Sequence, residues 1–120
     1  MSGFRSEKVA GLVRDELSLL LREEVDETRG ALVTISNVAL SPDLQHARVH
    51  VSIFPEGADR EGILEALTRS RGRLKRLLGR VLRLRRVPDL EFLLDTSAEH
   101  SARIEELLEE ASRGGSREDR

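Results

Sequence analysis

From Val9 onward, apolar residues return to one side of a helix: Val9, Leu12, Val13, Leu17, Leu20 and Leu21 follow one another at intervals of three or four. This predicts a first helix from about Ser6, which serves as N-cap, to about Thr28, with Gly30 ending it. From Leu32 the period shortens to two. Val33 and Ile35 share a face, then Val38 and Leu40 resume after a one-residue slip at Ser36–Asn37, the mark of a bulge. Ser41-Pro42-Asp43 has turn chemistry, and beyond it Ala47, Val49, Val51 and Ile53 alternate with Arg48, His50, Ser52 and Phe54, completing a half-buried hairpin.

Pro55 and Gly57 close that strand. A short helix from about Asp59 carries Ile63, Leu64 and Leu67 as far as Ser70-Arg71-Gly72. Another follows with Leu74, Leu77, Leu78, Val81 and Leu82 on one face, and is expected to end at Val87-Pro88, because proline disfavours helix in the residue before it. Leu90, Phe92 and Leu94 alternate with Asp89 and Glu91 as a third strand. Thr96-Ser97-Ala98-Glu99 has the form of a capping box opening a last helix with Ile104, Leu107 and Leu108 on one side. From Ser112 the sequence SRGGSREDR predicts a disordered tail. The order α-β-β-α-α-β-α is that of an α+β domain with helices on one face of a small sheet. A length of 120 residues, 38% of them apolar, suits one core.

A net charge of −2 hides a strong local asymmetry. Residues 1–68 carry 7 basic and 12 acidic side chains, residues 69–86 carry 9 basic and none acidic, and residues 87–120 carry 4 basic and 10 acidic. In a helix beginning near Gly72, Arg73, Arg76, Arg80 and Arg83 fall together opposite the leucines. Lys75 and Arg86 flank this ridge, and Arg69, Arg71 and Arg85 add charge at its ends. Like charges three or four residues apart repel, so such a face lowers intrinsic helix stability. A polyanion offsets the repulsion by releasing counterions when arginines meet its phosphates. Two other readings of the ridge are a solvated face in a chain with 18 arginines and 2 lysines, and a helix lying on anionic lipid. The second conflicts with the need of the same leucines to cover the sheet. Gly72 either makes a turn between helices or kinks them so that backbone N–H groups can approach a phosphate.

With no tryptophan or tyrosine, and with Phe54 and Phe92 committed to strands, contacts to phosphate and to RNA shape should outweigh base stacking. The histidines His46, His50 and His100 lack metal-motif spacing, cysteine is absent, and Gly114-Gly115 has no Gly-Lys-Ser/Thr sequel. No metal, cofactor or catalytic activity is expected. The absence of an apolar run long enough for a membrane span or signal peptide leads to the expectation of a cytoplasmic protein.

The stretch from Val33-Thr34-Ile35-Ser36-Asn37-Val38 through Ser41-Pro42-Asp43-Leu44 to His46-Ala47-Arg48-Val49-His50-Val51-Ser52 resembles the ribosome-binding factor A family. So do Leu84-Arg85-Arg86-Val87-Pro88-Asp89-Leu90-Glu91-Phe92, Asp95 and Ala102-Arg103-Ile104-Glu105-Glu106-Leu107-Leu108, the likeness covering about residues 4–110. It implies a type II KH-like domain, assigned to 6–95; the hydrophobic pattern adds a flexible segment at 1–5, a C-terminal helix at 96–111 and a disordered tail at 112–120. It further implies a helix-kink-helix whose Ala-x-Gly kink corresponds here to Ser70, Arg71 and Gly72, serine replacing alanine. By the same resemblance the chain would bind free or immature 30S subunits and 16S rRNA, aid late maturation including 5′-end processing, and act notably under cold stress. It would be monomeric when free. Arg69, Ser70, Arg71, Gly72, Arg73, Lys75, Arg76, Arg80, Arg83, Arg85 and Arg86 form the candidate RNA-binding set. The charge pattern alone fits a general RNA-binding or RNA-chaperone module equally well.

Overall fold

A computed structural model of the chain describes the backbone of residues 2–24 and 30–118 and the side chains of 6–22 and 30–113. Its elements are α1 (Ser2–Glu24), β1 (Leu32–Leu40), β2 (His46–Phe54), α2 (Arg60–Arg69), α3 (Arg71–Leu82), β3 (Asp89–Leu94) and α4 (Ser97–Glu118). This is the element order expected from the hydrophobic pattern. Both ends are more helical than expected. α1 begins at Ser2, and α4 runs past Ser112, since extending an existing helix needs no new nucleus. The expected end of the first helix near Thr28 lies outside the described residues.

The sheet has the order β1-β2-β3, with β1 and β2 antiparallel and β2 and β3 parallel. At the hairpin tip, Asp43 Oδ1 accepts hydrogen bonds from the Ser41 hydroxyl at 2.6 Å and the Gln45 N–H at 3.0 Å. These bonds draw its carboxyl below the usual range, the Ser41 hydroxyl contributing most. The chain can then turn through Leu44 at φ 62°. The register shifts between Ile35 and Asn37, so the bulge leaves Ser36 outside the ladder.

Alternation puts Ala47, Val49, Val51 and Ile53 of β2 on one face with Leu90 and Phe92 of β3, and all six are buried. α1 covers that face with Val13, Leu17, Leu20 and Leu21, α2 with Ile63 and Leu67, and α3 with Leu74 and Leu78. The other face is open. There Arg48 and Glu91 of adjacent strands face each other at 3.6 Å, and Phe54 is 70% exposed. Phe54 thus belongs to a strand, as expected, yet contributes nothing to the core.

Asp95 ties the far end of the sheet together. Its N–H donates to the Val51 carbonyl at 2.7 Å, and its carboxylate accepts from the Ser36 hydroxyl at 2.5 Å, from the Ser97 N–H at 2.9 Å and from the Ser97 hydroxyl. The bulge in β1 is what turns Ser36 toward it. The Ser36 hydroxyl above all, and then Ser97, hold the Asp95 carboxyl down at about 2, against an ordinary 3.8. A carboxyl whose pKa is lower in the folded state stabilises the fold above its unfolded pKa, and this contribution disappears as pH falls through the folded value. Asp95→Asn should therefore unfold at lower urea than the parent at neutral pH, with the difference narrowing as pH drops from about 4 to about 2. Glu99, read as the capping-box partner, turns instead to Arg60 at 2.5 Å, and Asp95 caps α4 in its place.

Candidate nucleic-acid interface

α2 and α3 are separated by a single residue, Ser70, whose backbone stays in the right-handed helical region at φ −85° and ψ −4°. Its N–H donates to the carbonyls of Ala66 and Leu67, both at 3.1 Å, and its carbonyl accepts from the Leu74 N–H at 2.9 Å. The junction therefore falls at Ser70 and not at Gly72. Gly72 is exposed within the first turn of α3, and a Cβ built on it meets nothing within 4 Å. Neither packing nor backbone conformation requires glycine there, and its surface is open to an outside molecule.

Amphipathicity orients α3. With Leu74 and Leu78 at 0% exposure, Arg73, Arg76 and Arg80 are turned to solvent, and all three are exposed. Arg69, at the end of α2, and Arg71, at the start of α3, are exposed on either side of Ser70. Arg71 also lines a cleft with His46, Arg48 and Asp89.

Lys75 departs from the expected ridge. Its ammonium pairs with Asp89 at 2.6 Å, and that hydrogen bond is the main cause of the lowered Asp89 pKa. The carboxylate lies fourteen residues along the chain, so the counting of charges within 69–86 could not reveal it.

Arg83 departs as well. The helix ends at Leu82, five residues short of the expected Val87, and Arg83 caps it in the left-handed region at φ 51° and ψ 38°, with its N–H on the Gly79 carbonyl at 3.0 Å. For a residue with a Cβ this conformation costs about 1–2 kcal/mol. The early stop lets the chain fold back across α3: a Cβ on Gly79 would lie 2.7 Å from Val87 Cγ2, and Pro88 is buried. Glycine at 79 is what admits this crossing. The returning segment carries exposed Arg85 and Arg86, which line a second cleft with Val9, Asp43 and Leu44. The basic segment is thus a helical face of Arg73, Arg76 and Arg80 with additional arginines at its two ends, while Lys75 is engaged elsewhere.

A family model for ribosome-binding factor A matches residues 5–108. The chain belongs to the ribosome-binding factor A family. Among its relatives, ribosome-binding factor A of Thermomicrobium roseum is 37% identical over 90% of this chain and 84% of its own length. That of Magnetococcus marinus is 41% identical over 87% of this chain and 85% of its own. The crystal structure of ribosome-binding factor A from Thermus thermophilus superposes with a TM-score of 0.65 at 34% identity, covering 74% of this chain and 94% of that one. A Thermus thermophilus ribosome binding factor A homology model, fitted into a cryo-EM map of a 30S complex, gives a TM-score of 0.57 at 36% identity, covering 71% of this chain and 93% of that one. Ribosome-binding factor A proteins have a KH-like fold, and the α+β architecture here agrees with it. Among the described residues, no helix is long and apolar enough to cross a membrane.

Proposed function

We propose that this chain is a non-catalytic assembly factor that binds free or immature 30S subunits in the cytoplasm as a monomer. In this reading it grips 16S rRNA and aids late maturation, including processing of the RNA's 5′ end. The observation that carries the proposal is the exposed arginine face of α3, backed by a buried leucine face that fixes its direction. Membership of a family named for ribosome binding, and the likeness to a protein fitted into a 30S complex, support the ribosomal address.

Arginine's planar fork suits phosphate oxygens, and open space over Gly72 allows a backbone phosphate to approach α3 closely. No cofactor has a part in this scheme. RNA binding should weaken with salt at a slope of roughly −3 to −4 in log K against log salt if about four arginines meet phosphates. Titration of structured small-subunit RNA by fluorescence anisotropy at several salt concentrations measures it. An affinity indifferent to salt, or equal for unrelated RNA at matched salt, would set the proposal aside. Sucrose-gradient fractionation of cell extract should find the protein with free small subunits and not with full ribosomes.

Gly72 offers a separate check. Gly72→Ala should stabilise the free protein by up to about 1 kcal/mol, as alanine is the better helix former, while lowering RNA affinity if a phosphate packs on that surface. Thermal unfolding and anisotropy on the same variant read the two effects independently.

A further inference from the structure

α4 leaves the body of the protein with its apolar side uncovered. Ile104, Leu107 and Leu108 are 45%, 59% and 64% exposed, and every described side chain from Ser101 to Arg113 is exposed. Among the described residues, the helix is fastened at its start, by Asp95 at its cap, by Glu99 to Arg60 at 2.5 Å and by Arg103 to Glu56 at 3.7 Å. At 100° per residue Leu107, Ala111, Ile104 and Leu108 span an arc of about 100°. Glu105 borders that arc on one side and Glu110 on the other, with Glu106 and Glu109 behind; Arg103, a turn earlier on the Glu110 side, is paired with Glu56, and no basic residue lies between Ile104 and Ser112.

We infer that this stripe docks a basic amphipathic polypeptide segment, one that presents apolar side chains flanked by lysine or arginine. The acidic borders decide among possible occupants. RNA and anionic lipid carry the same sign as the glutamates and are repelled. A second copy of α4, packed stripe against stripe, would bring acidic borders together without compensation. A basic segment satisfies the apolar arc and both borders at once.

The placement is compatible with simultaneous use of the arginine face. Glu99 of α4 meets Arg60, the first residue of α2, whereas α3 begins beyond the last residue of α2, so the ten residues of α2, about 15 Å, separate the two attachments. This inference goes beyond the RNA-binding proposal and does not depend on it.

The test uses the full chain and three synthetic probes: an amphipathic leucine–lysine helical peptide, its scrambled form, and a leucine–glutamate counterpart. Isothermal titration should detect binding of the first probe only. The triple substitution Ile104→Ser, Leu107→Ser, Leu108→Ser keeps all charges and should lower that affinity by about tenfold or more. The pair Glu105→Lys, Glu110→Lys should exchange preference toward the leucine–glutamate peptide. Arg76→Glu with Arg80→Glu should leave binding of the leucine–lysine peptide intact, which keeps the outcome distinct from any result with RNA. Equal binding of the scrambled peptide, an unaltered affinity in the triple-serine variant, or a molar mass in sedimentation that doubles with concentration would each overturn the inference.

Discussion

Replacing Arg76 and Arg80 together with glutamate is expected to reduce affinity for structured small-subunit RNA by roughly 100-fold at low salt. Hydrogen bonds to charged partners contribute about 1.5–3 kcal/mol each, so losing two of them amounts to at least about 3 kcal/mol before repulsion is added. Both side chains are exposed on the face of α3 opposite Leu74 and Leu78, so the core is untouched and the urea midpoint should barely move. The salt slope should become shallower by about 2, one unit for each phosphate contact removed. Anisotropy titrations of parent and variant over the same salt series measure both quantities. Unchanged binding would remove this face from the RNA interface.

The largest effect on stability is expected on the other side of the same helix. Leu78 is completely buried among residues contributed by the sheet and by α1 and α2, and its removal leaves a cavity that surrounding side chains can fill only partly. Leu78→Ala should cost about 2–5 kcal/mol, a substantial part of the roughly 5–15 kcal/mol that typically holds a domain folded. Val81, three residues on and 52% exposed, provides the internal control, because Val81→Ala should cost less than about 1 kcal/mol. Urea unfolding followed by circular dichroism distinguishes the two. If Leu78→Ala weakens RNA binding only in proportion to the fraction unfolded, the leucine face acts by orienting the arginine face.

Much of the architecture was legible because it depends on local period. The change from helical spacing to alternation at Leu32, the slip at Ser36–Asn37 and the turn chemistry of Ser41-Pro42-Asp43 each concern residues a few positions apart, where backbone geometry converts spacing directly into direction. The arginine face followed from the same rule, since Arg73, Arg76 and Arg80 lie within one regular helix whose leucines must point inward. The rule lost its hold where the helix stopped. Arg83 was placed on the ridge by continuing the period, but its left-handed backbone takes it off the helical lattice. The stop goes with the return of Val87 over Gly79, a contact between residues eight positions apart that no periodicity encodes.

What the sequence alone determined, then, is the order of elements, the apolar face that each presents and the concentration of positive charge from Arg69 to Arg86. Those properties reside in local spacing and composition. Tertiary structure decided which charges stay available: it brought Asp89 to Lys75, and Glu99 to Arg60 in place of a capping box. It also decided that Asp95 would join a bulge, a strand end and a helix cap, and that Ile104, Leu107 and Leu108 would remain uncovered. Apolar spacing states that a helix has a face to cover; only the arrangement of the other elements determines whether anything in the same chain reaches it.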